Sequence, residues 1–239
     1  MSELADHGPR IAAALRGSIA AQPQRDAVGA AHDMLAVAES LAEHGCLSLE
    51  DLRQREFAAG SGPALLVGVL PFGLTTPFDR PRIRRDAYRC AAATGADEGT
   101  TLVCVAAALV VADLMRFDPM TTAVRVRQSL LEDAPMALLD RISLLDPQTE
   151  LAGIEIDIDV DPGAALQAAL SVVHWTGGTG VAAVLARLGE AGRGDVGTLA
   201  AALAGAAAGE CDVPVEGPLA DRIDSAAEAL SRPPAGSSR

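Results

Sequence analysis

The chain of 239 residues contains no lysine, so all 19 of its fixed positive charges are arginine. With so much Ala and Gly, this deficit follows from a GC-rich coding sequence and by itself excludes no function. Positive charge is also scarce overall. The net charge of −13 argues against non-specific binding to DNA or RNA, which relies on neutralising phosphates, and against adhesion to anionic membranes. Aromatic residues number only six, four Phe with one Tyr and one Trp. A core with so few large rings is built from many small, close contacts, as in tightly packed helices. The four cysteines, Cys46, Cys90, Cys104 and Cys211, form no CxxC pair. Two of them lie inside apolar helical stretches and read as small buried hydrophobes in a reducing compartment. Long apolar runs are missing too: the longest, Leu102 to Ala112, stops at Asp113 and is too short to span a bilayer. Met1 to Arg10 is polar and has no secretory h-region. A soluble, cytoplasmic protein is expected, without nucleic-acid or membrane partners.

What is present is helical periodicity. Met34, Leu35, Val37, Ala38 and Leu41 repeat on one face, with Asp33, Glu39 and Glu43 elsewhere on the wheel. Ser48-Leu-Glu-Asp51 resembles a capping box that opens a short helix toward Phe57. Asp79 before Arg80-Pro81, and Asp161 before Pro162, fit N-caps with proline in the first turn, for helices to about Ala93 and Val173. Further helices are expected over Gly99–Phe117, Met120–Leu131, Pro135–Leu145, Thr179–Gly189, Val196–Ala208 and Pro218–Leu230. The expected fold is all-α: one compact multi-helix domain over residues 10–230, after a flexible stretch 1–9 and before a disordered tail 231–239.

Several segments invite a functional reading. Ile154-Glu-Ile-Asp-Ile-Asp-Val-Asp161 alternates apolar and acidic residues, which predicts a half-exposed extended segment with room for a short pairing. Its Asp157, Asp159 and Asp161 imitate the start of a calcium loop, but Pro162 replaces the turn glycine and Ala168 the bidentate Glu, so a solvated acidic edge is favoured. Arg80, Arg82, Arg84 and Arg85 cluster at a helix start, where solvated side chains are favoured over an anion site. Gly177-Gly-Thr-Gly180 lacks the lysine of a phosphate loop and reads as a turn between helices. His174-Trp175 holds the sole tryptophan, and a buried structural pair is favoured over an aromatic ligand contact. No GxSxG nucleophile elbow is present.

The most informative stretch is Arg193-Gly-Asp-Val-Gly-Thr198, followed by small residues to Gly209 and then Cys-Asp-Val-Pro214. It resembles the C-terminal metal signature of the ADP-ribosylglycohydrolase family, in which Gly-Asp-Thr-Asp-Thr opens a small-residue helix ending in Gly and Ile-Pro. Four other stretches are similar to the family in the same order. They are Ala14-Leu-Arg-Gly17, Met34 to His44, Gly62 to Leu74 and Cys90 to Glu98, so the likeness covers roughly residues 10 to 214. The resemblance implies the family's helical fold, trimmed around its cleft because loops are shortened after Gly17 and between Phe57 and Gly60. Family members hold two magnesium ions that orient ADP-ribose and the attacking water.

The departures fall on chemistry. Asp195 and Thr198 match the signature, but Gly197 stands where the second aspartate belongs, and the family's Thr-Asp-Asp-Thr run falls on Gly29-Ala30-Ala31-His32. The family's site-shaping Asn and Arg fall on Pro63 and Gly68, and its two turn histidines on Gly95 and Asp97. Mg²⁺ needs about six oxygens, and Asp195 with Thr198 offers one strong ligand, so no bound metal or other cofactor is expected. A rebuilt zinc or manganese site from His32, Asp33 and Asp195 is disfavoured, because adjacent helical side chains diverge by about 100°. The resemblance thus implies no catalytic residues, vestigial metal positions at Asp195, Thr198, Ala30, Ala31 and Gly197, and a ligand cleft around His32, Asp33, Gly62, Pro63, Thr94 and Asp97. The leading expectation is a catalytically inactive member with a binding or regulatory role, its partner a protein or an ADP-ribose-like ligand. The alternatives are an active hydrolase that releases ADP-ribose from a modified protein or small molecule, and a structural subunit of a larger assembly.

Overall fold

Aspartates start four of the described helices. Asp79, Asp97, Asp118 and Asp161 each stand just ahead of a helix and accept a hydrogen bond from a free backbone N–H of its first turn. The donors are the amides of Arg82 at 3.0 Å, Thr100 at 2.9 Å, Thr121 at 2.9 Å and Gly163 at 2.9 Å. Ser48 does the same for the Asp51 amide at 3.3 Å. Helix ends are set as plainly at Gly45 and Gly209. Their left-handed φ of 69° and 81° would strain any other residue, and their amides close onto the Leu41 and Gly205 carbonyls.

A computed structural model describes residues 7–22, 29–57, 62–131, 134–136, 138–139, 161–189 and 194–232. Its helices are α1 (His7–Ala20), α2 (Ala30–His44), α3 (Leu49–Gln54), α4 (Pro63–Gly68), α5 (Leu70–Thr75), α6 (Arg80–Ala93), α7 (Glu98–Leu114), α8 (Pro119–Leu130), α9 (Pro162–Trp175), α10 (Val181–Leu188), α11 (Asp195–Ala208) and α12 (Pro218–Ser231). No strand occurs among the described residues. The all-helical fold expected from the periodicity is therefore observed. All of these helices feed one hydrophobic core, as a single domain requires.

Two helices form the interior. In α7 every residue from Val103 to Leu114 is buried, and the helix packs against α5, α6 and α8 while also touching α4, α9 and α11. The second, α11, is buried from Val196 to Ala206 and lies against α1, α4, α9 and α10. Helices α1 and α2 are covered from outside by α12. The small residues explain how so many helices fit around two axes. At the α1–α11 crossing, a β-carbon on Gly17 would fall closer than 3.0 Å to the Ala201 carbonyl oxygen, and one on Gly205 equally close to that of Ala13. Gly73 of α5 meets the Ala108 carbonyl of α7 in the same way.

Differences from the sequence reading sit at the edges. Helix α1 begins at His7, inside the stretch expected to be flexible, with its ring packed on Phe78 at 5.6 Å between centroids. Of the expected helix Pro135–Leu145, residues 135, 136, 138 and 139 are described, and the last three are helical. The alternating segment 154–160 and the tail from 233 onward lie outside the described residues. Asp161, read from sequence both as an N-cap and as part of a calcium-loop mimic, caps α9.

Candidate functional site

The five positions of the metal signature lie at two helix starts. Asp195 opens α11 and is partly exposed; Gly197 and Thr198 follow it and are buried. The Thr198 hydroxyl donates to the Gly194 carbonyl at 3.2 Å, an ordinary bond back along the helix. Ala30 and Ala31 begin α2 with 3 % and 0 % of their surface exposed, both within the hydrophobic core. Helix α4 touches both α2 and α11, and those two touch each other, so the three segments named from sequence open helices that are in mutual contact. The donor set there does not fit a pair of magnesium ions. Of Ala30, Ala31, Asp195, Gly197 and Thr198, one carries a carboxylate, and two are apolar side chains inside the core.

The cleft residues separate. Asp33 is buried, 6 % exposed, in the first turn of α2, and His32 beside it is half-buried. Pro63, buried, and Gly62 form the start of α4. Thr94 ends α6 and lines a cavity of about 220 Å³ with Leu49, Leu52, Arg53, Phe57, Cys90 and Ala93. Asp97 belongs to a different hollow of about 290 Å³, between the starts of α7 and α9, with Val103, Leu138 and Pro162. Gly68 ties Asp33 to the first cavity. A β-carbon there would stand 3.1 Å from the Phe57 ring and 3.8 Å from the Asp33 β-carbon. The phenyl ring therefore occupies the space beside the position that the resemblance gives to an arginine. Behind it, burial and the Asp33 charge push the Cys90 thiol up to about 12, so it stays protonated and is no nucleophile. Burial likewise raises the Cys104 thiol.

One cluster of potential metal ligands was missed by sequence reasoning: Glu43, His44 and Asp51, whose ligand atoms all lie within 4.8 Å of one another. A guanidinium already serves its carboxylates. Arg55 donates to Asp51 at 2.7 Å, to Glu43 at 2.6 Å and, less closely, to Glu39 at 3.3 Å. The Asp51 hydrogen bond holds Arg55 firmly charged. Arg222 of α12 grips Glu39 from the other side at 2.8 and 3.0 Å. This network fastens α2, α3 and α12 together.

The arginine cluster of α6 is also structural, and its side chains are not simply solvated as the sequence reading favoured. Arg80 reaches the buried Asp113 in the last turn of α7. Arg82 donates to the Gly45 carbonyl at the end of α2, and Arg84 to the Ser129 carbonyl near the end of α8 at 2.7 Å. Arg85 pairs with Asp86 at 2.8 Å. Cations at helix C-termini complement the exposed carbonyls and the helix dipole, so α6 joins the ends of three other helices.

The remaining candidates resolve in different directions. Gly177 to Gly180 is the α9–α10 turn that the sequence suggested, and Asp212 caps α10 from a distance by accepting from the Ala182 amide at 2.9 Å. Trp175 corrects the buried reading. It is 40 % exposed, with Arg187 of α10 lying 4.9 Å over its ring. No helix among the described residues is long and apolar enough to cross a membrane. Comparison of the chain with family models, curated proteins and solved structures finds no match.

Proposed function

We propose that this chain is a degenerate ADP-ribosylglycohydrolase-type protein that no longer hydrolyses, and that it serves as a binding or regulatory protein in the cytoplasm. The observation that carries the reading is the state of the metal-signature positions. Two of the expected carboxylate sites, Ala30 and Ala31, are core residues, Gly197 has no side chain, and the Thr198 hydroxyl is turned onto its own helix. The mutual contact of α2, α4 and α11 is compatible with the family's cleft. Beside α4, Leu52, Phe57 and Cys90 line a cavity with Arg53 and Thr94 whose mixed polar and apolar surface suits a ligand or a partner side chain and lacks the carboxylate array that magnesium requires.

Calorimetric titration with ADP-ribose, with and without Mg²⁺, tests the reading. Any heat of binding should be the same in both series and should survive Asp195→Ala. Binding that requires Mg²⁺ and is lost in Asp195→Ala would favour the active-hydrolase alternative instead.

A further inference from the structure

The loops at the starts of α6 and α8 carry a second feature, at the opposite end of α6 from the Cys90–Thr94 cavity. The 14 residues of α6 put about 21 Å between them. The Arg116 guanidinium lies 4.2 Å over the Phe78 ring and 4.9 Å from that of Phe117, and Arg125 lies 4.1 Å over the Phe117 ring. Arg80 and Arg125 share the single buried carboxylate of Asp113, the latter at 3.3 Å. Two guanidinium groups thus share one carboxylate, with that of Arg116 near enough to act on it, in a chain whose net charge is −13.

Arg116 is the unusual member. It is exposed, and its guanidinium makes no hydrogen bond or ion pair among the described residues; its contacts there are the two rings. A guanidinium held against rings through its π face keeps its N–H donors available to a ligand. Beside it Phe78 is 47 % exposed, a large apolar surface in a chain with few aromatics. Pre-oriented arginine next to an open ring is the composition of an interaction surface, and the fork matches a carboxylate in two-point fashion. A long phosphate polymer would face the repulsion of the whole acidic molecule. A short acidic segment meets mainly the local charges, since those beyond about 8 Å are screened at physiological salt: Arg80, Arg116 and Arg125 beside the buried Asp113, with Asp79 and Asp118 turned onto the helix starts they cap.

We propose that the surface formed by Phe78, Arg116, Phe117 and Arg125 docks an acidic peptide segment of a partner protein. A carboxylate takes the Arg116 and Arg125 forks, and an apolar side chain next to it covers Phe78. This docking surface stands independently of the degenerate-hydrolase reading, because none of its residues belongs to that cleft.

The test is fluorescence anisotropy of the full chain with a labelled peptide of alternating Glu and Phe or Leu, and with a control in which Gln replaces Glu. Saturable binding of the Glu peptide is expected at about 0.15 M salt, weakened at about 0.5 M. Arg116→Ala and Arg116→Lys should each weaken it about tenfold or more, the latter because lysine keeps the charge but loses the stacked fork. The thermal unfolding temperature of both variants should fall by no more than a few degrees, the loss expected for one exposed cation–π contact to Phe78. Failure of the Glu peptide to bind, equal binding of the Gln control, or unchanged binding in both variants would overturn the proposal. So would pyrophosphate occupying the patch more tightly than the peptide, which would make it a small-anion site. Self-association abolished by Arg116→Ala would overturn it as well, by making a second copy of the chain the occupant.

Discussion

At Gly17 and Gly205 the missing β-carbon lets α1 and α11 touch through their backbones. Gly17→Ala or Gly205→Ala drives a methyl into a carbonyl oxygen that cannot swing aside, and should cost about 1–3 kcal/mol or more, read from urea unfolding midpoints. Ala31 gives a contrasting case. Writing a metal-ligand aspartate back there puts a carboxylate in the core, where it is desolvated or forced to take up a proton. Ala31→Asp should therefore destabilise on the order of 3 kcal/mol, and Mg²⁺ should not restore it. A folded, Mg²⁺-stabilised Ala31→Asp protein would show that the position faces a working site. Asp97 makes a pH-dependent contribution. The Thr100 backbone N–H and hydroxyl hold its carboxyl below the ordinary 3.8, so its stabilisation is complete above that value and lost as the pH falls through the lower, folded-state value. Burial acts in the opposite direction at Asp113, raising its carboxyl against the pull of Arg80 and Arg125, so its cost is present at neutral pH and relieved on acidification. Asp97→Asn keeps a capping oxygen while removing the titration, and should flatten the acid limb of the stability curve between about pH 5 and pH 2.

Among the elements, α6 shows what could be read from sequence and what could not. Its start at Asp79-Arg80-Pro81 and its end near Ala93 were legible, because caps and prolines act on residues a few places away. The targets of its arginines were not. Asp113, Gly45 and Ser129 lie far along the chain, and nothing in local spacing singles them out. Trp175 escaped for a related reason: its exposure is decided by where α10 lays Arg187, a tertiary matter. The Arg80–Asp113 tie can be tested directly. Arg80→Met leaves Asp113 buried with Arg125 as its remaining cation, and should destabilise on the order of 2 kcal/mol; Arg80→Met combined with Asp113→Leu should recover most of that loss. A double variant as unstable as Arg80→Met alone would mean that the helix ends, and not the charge pairing, depend on Arg80.

For the molecule as a whole, the helical class and single core followed from period-3.6 patterning and the scarcity of large rings, and the observed packing of small residues against α7 and α11 agrees. The candidate site was less legible. Asp195, Ala30, Ala31 and Pro63 lie on helices that do touch, whereas Thr94 and Asp97 line separate hollows, because two residues on either side of one turn can face different neighbours. Their assignment to one cleft came from the family likeness, and no spacing rule could supply it. The central claim is that a hydrolase-type scaffold has lost its chemistry, and turnover measures this most directly. Purified chain incubated with arginine- and serine-linked ADP-ribosyl substrates, with Mg²⁺ and with chelator, should release no ADP-ribose above the rate of the substrate alone in either condition. Mg²⁺-dependent release that disappears in Asp195→Ala would contradict the account.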